Sequence, residues 1–183
     1  MDVLLVVDMQ IALLEGPPKH DLDGVIDRIN RLAAKVRSQA GKIIFVQHVD
    51  DSGNVDPLPP TFQLLPDLER EPSDIVVQKH LNDAFAGSNL KARLDDIAPD
   101  RLLIAGWATD FCVDSTVRSA VSHGYVVVVV ADAHTLNDRP HLDAPSVIRH
   151  HNWIWNDLIA VQSIQVVETR RLLSERGPDE SSA

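Results

Sequence analysis

Five valines in a row, inside the stretch YVVVVVADAHT that starts at Tyr125, leave few folds open to this chain. A strand with one wet face alternates apolar and polar residues. A continuous β-branched run instead reads as a strand covered on both sides, as in a parallel sheet flanked by helices. Runs of the same kind occupy 3–7, 42–47, 74–78 and 102–106, with the valine run itself over 125–131; a weaker sixth falls at 163–167. Helical periodicity lies between them. Over 22–41, Val25, Ile29, Leu32 and Val36 share one face and Gly41 is the expected stop. A second helix is predicted from a Ser88 cap to just before Pro99, and a third from a Thr109 or Asp110 cap to Gly124. A fourth is expected within 143–161, and the proline-rich stretch 50–74 reads as a loop able to wall or cover a site.

Strand and helix in alternation predict an α/β fold: a three-layer α/β/α sandwich around a mostly parallel, six-stranded, Rossmann-like sheet. With 183 residues, one domain is expected over 1–175, followed by a polar tail, 176–183, that should fray. A net charge of -10 without any basic run argues against a nucleic-acid partner. The apolar start MDVLLVVDMQ is too short to span a bilayer and lacks the marks of a signal peptide, so no membrane partner is expected. One cysteine allows no internal disulfide, which suits a reducing, cytoplasmic setting. No glycine-rich loop follows the first strand, so no nucleotide cofactor is expected.

Parallel sheets bind ligands beyond the carboxyl ends of their strands, and three reactive groups are predicted there. Asp8 follows the first strand, Lys79 the third, and Cys112 lies in the first turn of the helix after the fourth. A thiolate attacks carbonyl carbon, and a helix N-terminus with a nearby ammonium is expected to draw the thiol pKa below its ordinary value of roughly 8.5. A carboxylate can take the thiol proton and return it to a leaving amine, while free backbone N–H groups before the helix can hold an oxyanion. Singly, each residue has an ordinary explanation: a core cysteine, a turn cap, a surface lysine. Their shared edge and complementary chemistry carry the reading.

The segments LLVVDMQ, VQKHLNDAFAGSNL and LLIAGWATDFCVDSTVRSAVSHGYVVVVVADA resemble the isochorismatase-like cysteine hydrolases, which include nicotinamidases, N-carbamoylsarcosine amidohydrolases and ureido-group hydrolases. The resemblance implies a triad of Asp8, Lys79 and Cys112, a cis peptide between Trp107 and Ala108, and an oxyanion hole made by the amides of Ala108 and Cys112. It implies a substrate pocket with Gln10, Phe85 and Trp107, and a homodimer or homotetramer. The intact cysteine favours hydrolysis of a small amide, carbamoyl or ureido compound through a thioester, without a cofactor. Vinyl-ether hydrolysis of the isochorismatase type, and a non-catalytic binding protein that keeps the fold, are the alternatives; a redox sensor would lack a resolving cysteine. The nicotinamidase metal site is not matched, because His48 is the one histidine of its region and Asp50 and Asp51 do not restore the spacing. No metal is therefore expected. Ser88 stands where the family often has threonine, and the aromatic residue common after DMQ is absent. Adjacent His150 and His151 point in different directions on a helix and suit packing better than metal ligation, while Trp153 and Trp155 suit a core or an interface.

Overall fold

The computed structural model describes residues 1–49 and 59–175. Six strands, β1 (Asp2–Val7), β2 (Lys42–His48), β3 (Ile75–Lys79), β4 (Arg101–Trp107), β5 (Val127–Thr135) and β6 (Ile164–Val167), form one sheet in the order β3-β2-β1-β4-β5-β6. Every pairing is parallel. The three-layer sandwich expected from the sequence is what the chain forms.

Alternation within each strand sorts the two faces. Leu4, Val6, Ile43, Phe45, Leu103, Ala105, Val128 and Val130 pack beneath α2 (Leu22–Ser38) and α6 (Thr169–Ser174). Val3, Leu5, Val7, Ile44, Val46, Val77, Ile104 and Val129 point the other way, against α3 (Leu90–Ile97), α4 (Asp114–Ser122) and α5 (Ala144–Asn156). Both sides are apolar, which is why the runs show no polar phase. A short α1 (Ile11–Leu14) follows β1, and a 3₁₀ turn spans Pro60–Phe62. No helix among the described residues is long and apolar enough to cross a membrane.

The helix ends differ from the sequence reading in instructive ways. α2 stops at Ser38, and the left-handed residue of its terminus is Ala40 (φ 58°), not Gly41. Gly41 serves a close approach instead: a Cβ there would stand 2.5 Å from the Asp2 carbonyl. Neither Thr109 nor Asp110 caps α4. Ala108 precedes a wide π-turn, Thr109–Val113, and its carbonyl accepts from the amides of Phe111 (3.0 Å) and Val113 (3.1 Å). Thr109 and Asp110 spend their side chains on His134 and Arg139. Ser88 accepts from the Leu90 amide, one residue before the α3 N-cap position. β5 runs on to Thr135, past the predicted 131, because Asp132 and His134 find buried or half-buried partners.

Moving outward from the centre, the strand order reverses direction between β1 and β4, so the crevice of the sheet opens at their carboxyl ends. Gly106 lets the two strands close there. It adopts φ +125° opposite Val7, and a Cβ would lie 2.1 Å from the Val7 carbonyl oxygen.

Candidate active site

The acid, the amine and the thiol meet at this switch point. β1 delivers Asp8 in a left-handed conformation (φ 52°), its amide tied to the Val46 carbonyl at 2.9 Å. Lys79 ends β3, the outermost strand, and its stem crosses beside β2 to reach Asp8. The Lys79 Nζ stands 2.6 Å from Asp8 Oδ2, 3.0 Å from the Leu81 carbonyl oxygen and 3.4 Å from Cys112 Sγ. Asp8 and Lys79 are fully buried, and Cys112 nearly so. Asn82 Oδ1 lies 3.7 Å from the sulfur on the other side.

Burial governs the charges. It pushes the Cys112 thiol up to about 12, aided by the Asp8 charge and opposed by Lys79. Burial thus acts against the lowered thiol pKa expected from the helix start and Lys79, with desolvation of sulfur the larger effect and the ammonium the opposing one. Burial also raises the Asp8 carboxyl above its usual range, against the pull of Lys79 and of a hydrogen bond from the Cys112 thiol. The raised thiol holds its proton more tightly, while the raised carboxyl makes Asp8 a better acceptor for it than solvent. Such a transfer leaves the net charge of the buried cluster unchanged.

The remaining predicted residues separate. The Trp107–Ala108 peptide is cis. Trp107 is half-buried at the end of β4, with its indole Nε1 unpartnered among the described residues. Gln10 is fully buried and fully used. It donates to the carbonyls of His48 (2.9 Å) and Phe62 (2.7 Å) and accepts from the His48 amide (2.7 Å), so it fastens loops together and has no amide edge left for a substrate. Phe85 stacks near Tyr125 and His123, beyond the C-terminal end of α4, whereas Cys112 precedes its start. His151 bonds the Val147 carbonyl, His150 stacks on exposed Trp153, and Trp155 is buried. Among the described residues no group of three or more His, Cys, Asp or Glu is placed to hold a metal ion. Asp50 and Asp51, with the part of the expected loop over 50–58, and the tail 176–183 lie outside the described residues.

Several neighbours escaped the sequence reading. Asn82 sits in a stretch without periodicity, so nothing marked it. Arg139 forms a two-pronged pair with Asp110 (2.7 and 2.8 Å) and lies over the ring of Phe111. His134 had a signal, a histidine inside an otherwise apolar strand. It is fully buried, bonded to Thr109 at Nδ1 and Asn152 at Nε2, each at 2.9 Å.

Burial pushes the His134 ring down to about 4 from an ordinary 6.5. Above the ordinary value both folded and unfolded chains hold it neutral, and its share of stability is complete. As pH falls, the unfolded chain takes up a proton that the folded chain refuses, so stability drops between these values by about 3 kcal/mol. Urea unfolding at pH 7 and pH 4 should show that much extra acid loss in the wild type relative to His134→Gln. Equal losses would mean the ring is not held neutral.

A doubly wound sheet with a thiol, an amine and an acid in a buried cluster at its switch point defines an α/β domain with a reactive group at the ligand-binding edge of the sheet. The family profile described as the isochorismatase domain matches residues 2–148, and the chain belongs to the isochorismatase family of hydrolases. It is 34% identical over 142 residues to a streptothricin hydrolase of Streptomyces noursei, covering 76% of this chain and 51% of that protein. The chain therefore spans about half the length of that relative. A ureidoacrylate amidohydrolase of Pseudomonas savastanoi pv. phaseolicola is 29% identical over 168 residues, 71% of this chain and 69% of its own length. The crystal structure of an isochorismatase from Pseudomonas putida KT2440 superposes with a TM-score of 0.82 at 27% identity, over 93% of this chain and 89% of that one.

Proposed function

We propose that this chain is a cysteine hydrolase that cleaves a C–N bond in a small amide, carbamoyl or ureido compound through a thioester. One observation carries the reading: Cys112 Sγ contacts the Nζ of Lys79, which pairs at 2.6 Å with Asp8 inside the core, at the crevice of a doubly wound sheet. Kinship with a streptothricin hydrolase and a ureidoacrylate amidohydrolase supports the same bond class.

The proposed steps use these positions. Asp8 takes the Sγ proton as sulfur bonds to the carbonyl carbon, and the amides of Ala108 and Cys112 receive the oxyanion. The intermediate collapses, the C–N bond breaks, and Asp8 gives its proton to the departing nitrogen. Water then attacks the thioester, Asp8 takes its proton, and the thiol is restored when that proton returns to sulfur. Lys79 keeps the cluster neutral throughout and orients the carboxylate. No step calls for a metal or an organic cofactor. The single cysteine suits a cytoplasmic enzyme, and Trp153, Ile159 and Val161 are exposed apolar side chains open to contact in the expected homodimer or homotetramer.

Because the proton moves inside the cluster, alkylation of Cys112 by iodoacetamide should change little between about pH 6 and 9, unlike an ordinary thiol. Asp8→Asn removes the internal base and should convert this into a rate that climbs steadily with pH. An ordinary thiol titration in the wild type, unchanged in Asp8→Asn, would sink the reading. Incubation with a panel of amides, ureas and lactams, followed by intact-mass detection of an acyl adduct on Cys112, identifies the substrate class directly.

A further inference from the structure

A chain of buried hydrogen bonds outside the thiol cluster has a fixed direction. Asn152 Nδ2 is 2.9 Å from the Ala131 carbonyl, which can only accept, so the orientation of this amide is settled. Its Oδ1 therefore faces His134 Nε2 at 2.9 Å, and that nitrogen must carry the proton. A neutral ring has one N–H, which leaves Nδ1 as an acceptor. The Thr109 hydroxyl, 2.9 Å away, must donate to it. Burial keeps the ring neutral near pH 7, so the pattern holds there.

This relay ends on one residue, Thr109, which directly follows the cis-linked Ala108 and opens the π-turn that carries Cys112. Thr109 and His134 are both buried. α5 grips the other end of the same turn: Trp155 sits three residues after Asn152, sets its ring edge-on to His134, and donates from Nε1 to Asp114 Oδ1 at 2.8 Å. Anchoring Thr109 at the start of the turn and Asp114 at its end restrains the peptides between them, that of Cys112 included, and Ala108 is tied to the same turn through its carbonyl, which accepts from Phe111 and Val113.

We propose that His134, held by Asn152 as the Nε2–H tautomer, is a positioning residue that orients Thr109 and thereby aims the amides of Ala108 and Cys112 at the developing oxyanion. This rests on the hydrolase reading above and adds what keeps its donors in place. Thr109 and His134 touch no reacting atom; they act through the backbone.

Two reagents separate oxyanion support from nucleophile strength. p-Nitrophenyl acetate transfers its acetyl group to Sγ through a tetrahedral oxyanion: the S–C bond forms, p-nitrophenolate leaves, and the thiol proton passes to Asp8. Iodoacetamide alkylates the same sulfur by displacement of iodide, with no oxyanion. Losing one oxyanion donor costs about 10²–10³ in rate, so misaiming should cost at least about tenfold. Thr109→Val, which keeps the shape and removes the hydroxyl, should slow acylation by that factor and leave alkylation within about twofold. Thr109→Ser should restore acylation, and His134→Gln should outperform His134→Leu. Unchanged acylation in Thr109→Val, or equal loss of both reactions, overturns the proposal. The ¹⁵N spectrum of the wild-type imidazole provides a second test that needs no reactive thiol. A pyridine-like Nδ1 with a pyrrole-like Nε2 supports the relay; the reverse tautomer or an exchanging average overturns it. Failure of the wild type to react with either reagent would instead count against the hydrolase reading, leaving that spectrum to decide the relay.

Discussion

Cys112→Ala should lower kcat/KM for the cognate amide by at least about 10⁴-fold, the scale seen when a covalent nucleophile is removed from an assembled site. In the proposed reaction the C–N bond breaks only after Sγ has bonded to the substrate carbon, and the acyl group stays on Sγ until water takes it. Lys79 and Asp8 cannot substitute for it, since Asp8 in the intact site is committed to proton transfer and Lys79 to holding Asp8. Cys112 is a small side chain packed in the layer below α4, so its loss as a methyl group should leave the urea midpoint close to wild type. That separation makes the result readable: folded, and inert toward C–N bonds. Turnover of an amide by the alanine variant would remove the thioester from the mechanism. Turnover of a vinyl ether by the alanine variant, with none of amides by the wild type, would move the chain to isochorismatase-type chemistry.

The strands and the reactive trio were legible because each rests on local pattern. A parallel strand buried on both faces has no polar phase, and the residue that follows it needs no tertiary information to be found. The tuning of those groups was not legible. A helix start and a lysine suggested a lowered thiol pKa, yet the sign depends on how much water is excluded, and exclusion is set by packing from α3, α4 and β2 together. The surroundings of Gln10 and Phe85 were not legible for a related reason. Gln10 follows the catalytic-type aspartate by two residues, but its amide is consumed by backbone groups of His48 and Phe62, one of them 52 residues away. Phe85 lies close to Lys79 in sequence, yet the turn before α3 carries its ring toward Tyr125. His134 and Asn152 form their bond across 18 residues, and only the closed fold shows that the pair meets Thr109.

Lys79→Met should destabilise the chain by about 3–5 kcal/mol near neutral pH, the cost of leaving a buried charge without its partner. Methionine fills much of the lysine stem's volume, so the loss is electrostatic more than steric. Asp8 is held down chiefly by Lys79 against the effect of burial; without it the carboxyl rises further above its ordinary 3.8. The sign follows from linkage. Below that ordinary value Asp8 is neutral in both folded and unfolded chains, and the variant suffers least. As pH rises, the unfolded chain releases a proton that the folded chain keeps, and stability falls by about 1.4 kcal/mol per pH unit until the folded pKa is passed. Urea unfolding of wild type and variant at pH 5 and pH 8 should therefore show the gap widening with pH. Adding Asp8→Asn removes the charge, so the double variant should regain most of the stability and lose the pH dependence. A loss that is flat with pH and persists in the double variant would mean that packing, not charge, made Lys79 necessary. Recovery of stability without recovery of hydrolysis would mean that a dry core carries this ion pair for its chemistry, at a cost to folding that an apolar pair would not impose.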